Sequence, residues 1–182
     1  MKKLLFLGFL SFLVVSTTSA QKFYTKNGKI SFFSSASMEN IEAHNRSVST
    51  VVDAGTGDVQ FSVLMKGFEF KKALMQEHFN KNYVESDKFP KSSFTGKIVN
   101  NGDIRYTING TYNAQVKGKL TIHGVTREVD IPGTITVTDG KLSIRSTFNV
   151  LVADYNISIP RIYKDNIAKS IRVSVDCSLN PL

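Results

Sequence analysis

The chain has 182 residues, 23 Lys and Arg against 15 Asp and Glu, a formal net charge of +8 and one cysteine. A single cysteine excludes a framework of internal disulfides, and the scattered basic residues argue against a nucleic-acid-binding protein. A chain of this length suits one domain that builds its own core.

The start of the chain has the pattern of a signal peptide. Lys2 and Lys3 form a positive start, an apolar run follows over 4–15, and small residues lead up to Ala20. Signal peptidase cleaves after such a pattern. The apolar run is shorter than the roughly 20 residues that a transmembrane helix needs. We therefore predict cleavage near Ala20, a mature domain over 21–182, and a periplasmic or secreted location.

Most of the mature chain alternates apolar and polar residues, the period of a half-buried strand. In the last such segment Cys177 falls on the apolar face, as a buried thiol does. Asn-Gly and Asp-Gly pairs predict tight turns at 27–28, 101–102 and 139–140. The predicted strand segments are 22–35 (turning at 27–28), 40–53, 58–66, 91–99, 104–122, 127–138, 141–151 and 169–179. About eight segments joined by short connections predict an all-β, antiparallel barrel built as a meander.

One segment breaks the alternation between two of the predicted strands. Within 72–84, Met75, Phe79 and Tyr83 recur at every fourth position, with Leu74 beside them. This spacing predicts one face of a short helix of about three turns. The helix either covers the mouth of the barrel or plugs one end of its core.

The interior of the barrel is the main question that the pattern raises. Eight strands enclose a space that is either packed solid or holds one small ligand. Gly110, Gly118 and Gly133 lie on the apolar parity, where each one removes volume from the interior or marks a bend of the closed sheet. Tyr106 and Tyr112 are candidates to hydrogen-bond a ligand's head group. The candidate ligand-binding residues are Phe61, Phe68, Phe70, Leu74, Met75, Phe79, Tyr83, Tyr106, Ile108, Tyr112, Leu120, Ile122, Ile131, Ile144 and Phe148.

The residue types that carry catalysis or bind metals show no functional spacing. His44, His78 and His123 are not spaced as metal ligands, of which a zinc site needs three or four. Cys177 has no histidine partner in its pattern, and the chain contains no nucleophile elbow, phosphate loop or dinucleotide fingerprint. We predict no catalytic residue, no metal and no cofactor.

Two segments resemble the YceI-like family. Residues 86–94 read Ser-Asp-Lys-Phe-Pro-Lys-Ser-Ser-Phe, similar to the family's aromatic-proline segment, and residues 118–129 begin Gly-Lys-Leu-Thr-Ile-His-Gly-Val-Thr, similar to its Gly-x-Leu-Thr signature. Phe148, Asp154, Ile157 and the last predicted strand also fit, so the resemblance spans nearly all of the mature chain. It implies a lipocalin-like, extended eight-stranded antiparallel barrel that holds a long isoprenoid chain, such as the tail of a quinone or polyprenol.

These patterns favour an exported binding protein that carries or stores a long isoprenoid or other lipid chain in its lumen. Alternatives are a filled structural barrel that binds another envelope protein, and an enzyme that acts on a lipid. An integral outer-membrane barrel is disfavoured by the apolar-parity glycines and the helical insertion. We expect no nucleic-acid partner and at most peripheral membrane contact. The sequence leaves the oligomeric state open, with a homodimer as one alternative.

Overall fold

The structure, a computed structural model, describes residues 21–182, so the predicted signal peptide over 1–20 lies outside the described residues. Within the described range the chain forms nine β-strands and one α-helix. In chain order they are β1 (Lys22–Ser35), β2 (Asn40–Asp53), β3 (Asp58–Leu64), β4 (Glu69–Phe70), α1 (Ala73–His78), β5 (Lys91–Ile98), β6 (Gly110–Ile122), β7 (Val125–Thr138), β8 (Lys141–Leu151) and β9 (Ser170–Pro181).

Eight of these strands form a closed antiparallel barrel. Their order around it is β1-β9-β8-β7-β6-β5-β3-β2, and pairing of β1 with β2 closes the sheet. The two-residue strand β4 pairs with the first half of β2, outside this cycle. Most neighbours in the barrel are consecutive in the chain, which is the topology that short connections favour. The predicted all-β, eight-stranded antiparallel barrel with one short helix is therefore confirmed.

The two ends of the barrel differ. The open end carries the connections over 36–39, 65–90, 123–124 and 152–169, and the opposite end, called the closed end here, carries those over 54–57, 99–109 and 139–140. At the closed end the ring of Phe23 stacks on Tyr106 at 6.1 Å, and Ile104 is buried beside them. The connection over 99–109 therefore plugs this end of the barrel.

The predicted tight turns have mixed outcomes. The turn at Asp139-Gly140 is confirmed, since both residues have the positive φ (48° and 75°) that a two-residue hairpin needs. His123-Gly124 forms a second turn with positive φ at both residues. The turn at Asn27-Gly28 is wrong, because both residues lie within the continuous strand β1, where the register to β2 shifts. The hairpin at Asn101-Gly102 is also wrong, because a 3-10 turn and a longer connection replace it.

Gly28 is required by a close approach between strands rather than by a turn. A Cβ at this position would lie 2.5 Å from Sγ of Cys177 and 3.1 Å from the carbonyl oxygen of Val48. The thiol of Cys177 is fully buried, and the hydroxyl of Thr50 lies 3.8 Å from it. Burial raises the pKa of the Cys177 thiol, so the group stays protonated and unreactive at neutral pH.

We expect Gly28→Ala to lower the free energy of unfolding by about 1–3 kcal/mol, because the new methyl group overlaps Sγ of Cys177. Cys177→Ala removes that sulfur, so the double variant is expected to recover part of the loss. Urea unfolding of the four proteins measures the coupling between the two sites. An equal loss from Gly28→Ala in both backgrounds would show that the thiol is not the obstacle.

The predicted helix is present but changes its geometry after two turns. α1 continues directly into one π-helical turn over Phe79–Tyr83. The ring of Phe79 packs against Phe32, Phe68 and Phe70 at centroid distances of 5.5, 5.6 and 5.1 Å. This aromatic cluster fixes the helix at the open end, beside the lumen rather than in it.

Candidate functional site

A cavity of about 550 Å³, called the outer chamber here, occupies the open end of the barrel. α1 and its π-helical turn form one side, and β1 and β9 form another. The rim consists of the connections over 36–39 and 152–169 together with Lys72 and Leu74 at the start of the helix. Its wall is mostly aliphatic and aromatic, because the inward parity of each strand carries those side chains. The outer chamber is therefore a preformed apolar pocket of the size that ligands occupy.

A second cavity of about 110 Å³, called the inner chamber here, lies deeper in the barrel. Its wall is formed by residues of β3, β5, β6, β7 and β8 together with Ile30 of β1 and Val175 of β9. Both chambers share five wall residues, which we call the neck: Ile30, Val63, Ser92, Leu120 and Phe148. The two chambers are therefore consecutive compartments of one lumen, and the outer chamber lies at the open end of the barrel.

Most residues that line this lumen are apolar. Several of the polar side chains that line it are bonded to other protein groups. At the neck the hydroxyl of Ser92 donates to Sδ of Met65 at 3.0 Å. At the rim Nζ of Lys72 lies 2.8 Å from Oε1 of Glu39. Burial raises the pKa of the Tyr83 hydroxyl, and nearby Tyr163 adds to the effect. The mostly apolar wall thus suits an apolar chain, and the charged side chains among these groups, Lys72 and Glu39, lie at the rim.

The barrel wall splits between β7 and β8 beside the inner chamber. The two strands pair between the turn at Asp139-Gly140 and the residue pair Gly133 and Ser146. Beyond that pair, toward the open end, β7 and β8 are not paired with each other. Pro132, the next residue of β7, has no N–H to donate, and its carbonyl accepts from the hydroxyl of Ser146 at 2.7 Å. Because Pro132, Gly133 and Ser146 all line the inner chamber, the split widens the lumen sideways.

The segments that carry the family-like motifs meet at the open end. Nε2 of His123 lies 2.7 Å from Oε2 of Glu85, and Nδ1 lies 3.1 Å from the carbonyl oxygen of Tyr155. The ring of Phe89 packs edge-on against His123 at 4.6 Å and covers Gly124 so closely that no Cβ fits there. These motif residues therefore tie three connections together outside the lumen, which is a structural role.

Twelve of the fifteen candidate ligand-binding residues line the two chambers. Those in the outer chamber alone are Phe68, Phe70, Leu74, Met75, Phe79, Tyr83 and Ile122. Those in the inner chamber alone are Phe61, Ile131 and Ile144, and Leu120 and Phe148 line both. The aromatic residues before the helix and the helix face thus come together on one side of the lumen.

The remaining three, Tyr106, Ile108 and Tyr112, belong to the closed end and line neither chamber. Tyr106 and Ile108 lie before β6, so their interpretation as strand residues is wrong. The hydroxyl of Tyr106 donates to Oδ1 of Asn101 at 2.7 Å, and that of Tyr112 donates to the carbonyl of Ile108 at 3.0 Å. Burial raises the pKa of Tyr106 to about 12, with a smaller contribution from the charge of Asp53. Neither hydroxyl is placed to meet a head group.

Several wall residues of the outer chamber are not among the predicted ligand-binding residues. Ile171 and Val173 lie on the apolar parity of β9, so the alternation itself contained the signal for them. Phe32 lies in β1, where the predicted turn obscured the parity. Ile162 and Tyr163 belong to a single 3-10 turn that is too short to give a periodic pattern, and no sequence signal places them at the rim.

Gly118 and Gly133, two of the apolar-parity glycines, permit close contacts between neighbouring strands. Gly118 pairs with Gly96 across β5 and β6, and the ring of Phe94 lies over both, 2.5 and 2.8 Å from the positions of added Cβ atoms. A Cβ at Gly133 would lie 2.9 Å from the carbonyl oxygen of Arg145. Both close approaches depend on glycine, and the space at Gly96 and Gly118 is filled by an aromatic ring.

No helix within residues 21–182 is both long and apolar enough to cross a membrane. The same range contains no group of three or more His, Cys, Asp or Glu side chains arranged to hold a metal ion.

Comparison with known proteins gives one family and several similar folds. The model of the YceI-like domain matches residues 9–179. No curated protein sequence gives a significant match. A polyisoprenoid-binding domain from Saccharophagus degradans, implicated in plant cell wall breakdown, has a TM-score of 0.77 at 12% identity, over 90% of this chain and 99% of that one.

Two other solved structures share the fold. BcnA from Burkholderia cenocepacia has a TM-score of 0.67 at 17% identity, over 84% of this chain and 95% of that one. A YceI protein from Campylobacter jejuni has a TM-score of 0.55 at 15% identity, over 74% of this chain and 81% of that one. At these low identities the three structures share the barrel fold with this chain. The residues that line the lumen have to be compared one by one.

Proposed function

The chain belongs to the YceI-like family, and from this premise we propose that it binds one long apolar chain of the isoprenoid type in its lumen. The observation that carries the proposal is the pair of joined, preformed apolar chambers that open at one end of the barrel. The similar fold of a polyisoprenoid-binding domain supports the same ligand class. A quinone or polyprenol tail fits this description, with its head group at the rim.

The free energy for binding comes from burial of the chain. Each methylene removed from water contributes about 0.8 kcal/mol, so ten contribute roughly 8 kcal/mol before the cost of ordering the chain. The preformed lumen reduces the part of that cost which rearranging the protein would add. Recognition of this kind needs shape and apolar surface more than hydrogen bonds, in agreement with the mostly apolar walls.

The exposed side chains at the rim support entry of the ligand at the open end. Met38, Leu74 and Ile162 keep 75%, 61% and 78% of their surface in water, and Leu74 and Ile162 belong to the outer chamber. Their exposed surface gives an incoming apolar chain a first contact beside the cavity. The hydrogen bond from the amide of Met38 to the carbonyl of Asp165 joins two connections of this rim.

A carrier or storage role outside the cytoplasm completes the proposal. The predicted signal peptide and cleavage near Ala20 support a periplasmic or secreted location. A binding protein is favoured over an enzyme because the lumen wall is mostly apolar and the lysine at the rim, Lys72, is paired with Glu39. A filled structural barrel is disfavoured because the outer chamber alone has about 550 Å³ of space.

We expect native mass spectrometry of the mature protein, purified from its own host without detergent, to show a discrete additional mass. That mass is expected to be lost on denaturation and to be recovered in an organic extract as an isoprenoid lipid. Protein that carries only its polypeptide mass in repeated native preparations would contradict the proposed function. An extracted fatty acid or phospholipid would retain the binding role and change the ligand class.

A further inference from the structure

We propose that Phe94, held against Gly96 and Gly118, is the stop that limits the length of the bound chain. The inference rests on the proposed function, because it concerns how far an apolar chain reaches into the lumen. Phe94 would then determine which chain lengths the protein prefers, whereas the apolar walls of both chambers provide the affinity.

The position of the Phe94 ring is fixed by its own strand and the next one. Phe94 points inward from β5 and lines the inner chamber. Its ring atom Cζ lies 2.5 Å from the place where a Cβ on Gly96 would stand and 2.8 Å from the corresponding place on Gly118. The ring therefore leans toward the closed end and covers the two paired glycines, a recess that a larger residue at either position would fill.

A second aromatic side chain supports the ring from the neighbouring strand. Phe61 of β3 lies directly opposite Phe94 in the register of β3 and β5. The two ring centroids are 6.3 Å apart at an interplanar angle of 66°, an edge-to-face arrangement. Because Phe61 also lines the inner chamber, the pair forms one continuous aromatic wall there.

The barrel is packed solid on the closed-end side of the inner chamber. Ile98 and Ile135 line the chamber at that end and are at most 2% exposed, and beyond them Leu142 is 1% exposed and Phe23 is fully buried against Tyr106. A chain that enters at the open end thus crosses the outer chamber and the neck, and it ends in the inner chamber of about 110 Å³. The size of the inner chamber therefore determines how many terminal carbon atoms are accommodated.

Two substitutions in the inner chamber are expected to shift the bound length in opposite directions. Phe94→Leu shortens the stop and uncovers the recess at Gly96 and Gly118, so the protein is expected to retain longer homologues of the chain. Ala114→Leu fills the same chamber from β6, where Ala114 is buried and lines it, so shorter homologues are expected. A general loss of packing does not produce opposite shifts.

Phe23→Leu is the matched control, because Phe23 is also a buried phenylalanine but lines neither chamber. The wild type and the three variants are purified from the same host and analysed by native mass spectrometry and extraction. We expect the bound mass to rise by whole isoprene units in Phe94→Leu, to fall in Ala114→Leu, and to stay at the wild-type value in Phe23→Leu.

The possible failures are distinguishable. Wild-type protein without any bound chain overturns the proposed function, and the stop falls with it. A wild type that carries a chain, with the same length distribution in both inner-chamber variants, overturns the stop alone. If Phe94→Leu does not fold, Ala114→Leu still decides: shortened ligands support the stop, and unchanged ligands refute it.

Discussion

Replacing Gly118 by alanine is expected to lower the free energy of unfolding by about 3 kcal/mol or more, at the upper end of the range for overpacked cores. The new Cβ would lie 2.5 Å from the carbonyl oxygen of Thr95 and 2.8 Å from the ring of Phe94. A ring can rotate away, but the carbonyl belongs to the backbone of β5. Moving it breaks the pairing of β5 with β6 at Thr95–Lys119 and Gly96–Gly118. Since domains of this kind are stable by about 5–15 kcal/mol in total, the loss is large.

Urea unfolding of Gly118→Ala beside Gly102→Ala tests this expectation. Gly102 lies in the connection at the closed end, and a Cβ there meets no atom within 4 Å. That control is expected to change stability by less than about 1 kcal/mol, mainly through the entropy of the unfolded chain. Phe94→Ala in the Gly118→Ala background is expected to restore little, because the backbone contact remains. Similar stability of the two single variants would show that β5 and β6 do not approach as closely as described.

The barrel was predictable because its determinants are local. Alternation with a period of two marks each strand, and short connections leave antiparallel neighbours as the simple arrangement. Gly28 shows where local reasoning fails. Next to Asn27 it has the composition of a tight turn, yet it is needed for the approach of Cys177, which is distant in sequence and adjacent in the sheet. A dipeptide cannot distinguish these two reasons for a glycine.

The closed end shows the same limit for parity. The alternation continues from β6 back through Ile108 and Tyr106, so the sequence extends the strand and places both residues in the lumen. In the structure the side chain of Asn101 holds this segment away from β6. Its Nδ2 donates to the carbonyl of Ala54, and its Oδ1 accepts from the hydroxyl of Tyr106. These contacts turn the segment into a plug. The alternation of apolar and polar residues predicts which side chains are buried, but it does not predict which part of the protein they are buried against.

The residues at the rim of the outer chamber could not be predicted from the sequence, for a different reason. Ile162 and Tyr163 lie in a short 3-10 helix of the connection between β8 and β9, and the position of this connection is set by distant contacts. The carbonyl of Asp165 accepts from the amide of Met38 and from the hydroxyl of Ser37, which lie in the connection between β1 and β2. The family resemblance did not help here, because its motif residues tie the connections together from outside.

Leu120→Trp at the neck is expected to weaken binding of the apolar chain about a hundredfold. Leu120 lines both chambers, and its partly buried side chain borders open space that an indole fills without moving the backbone. A chain that cannot pass the neck loses its contacts in the inner chamber. Loss of about four buried methylenes costs roughly 3 kcal/mol, which is a factor of about a hundred in the dissociation constant.

The chain contains no tryptophan, so the substituted residue is also its single indole fluorophore. Leu151→Trp is the matched control, because Leu151 is 51% exposed and lines neither chamber. With delipidated protein and a prenol of the length found in the native preparation, the control is expected to bind as the wild type does. Leu120→Trp is expected to bind weakly and to emit at shorter wavelength than the control, because its indole is in an apolar lumen. Wild-type affinity in a folded Leu120→Trp variant would mean that the chain does not pass the neck. The bound chain would then lie in the outer chamber alone, and the length of the ligand would be set by the rim and the neck instead of the aromatic wall behind them.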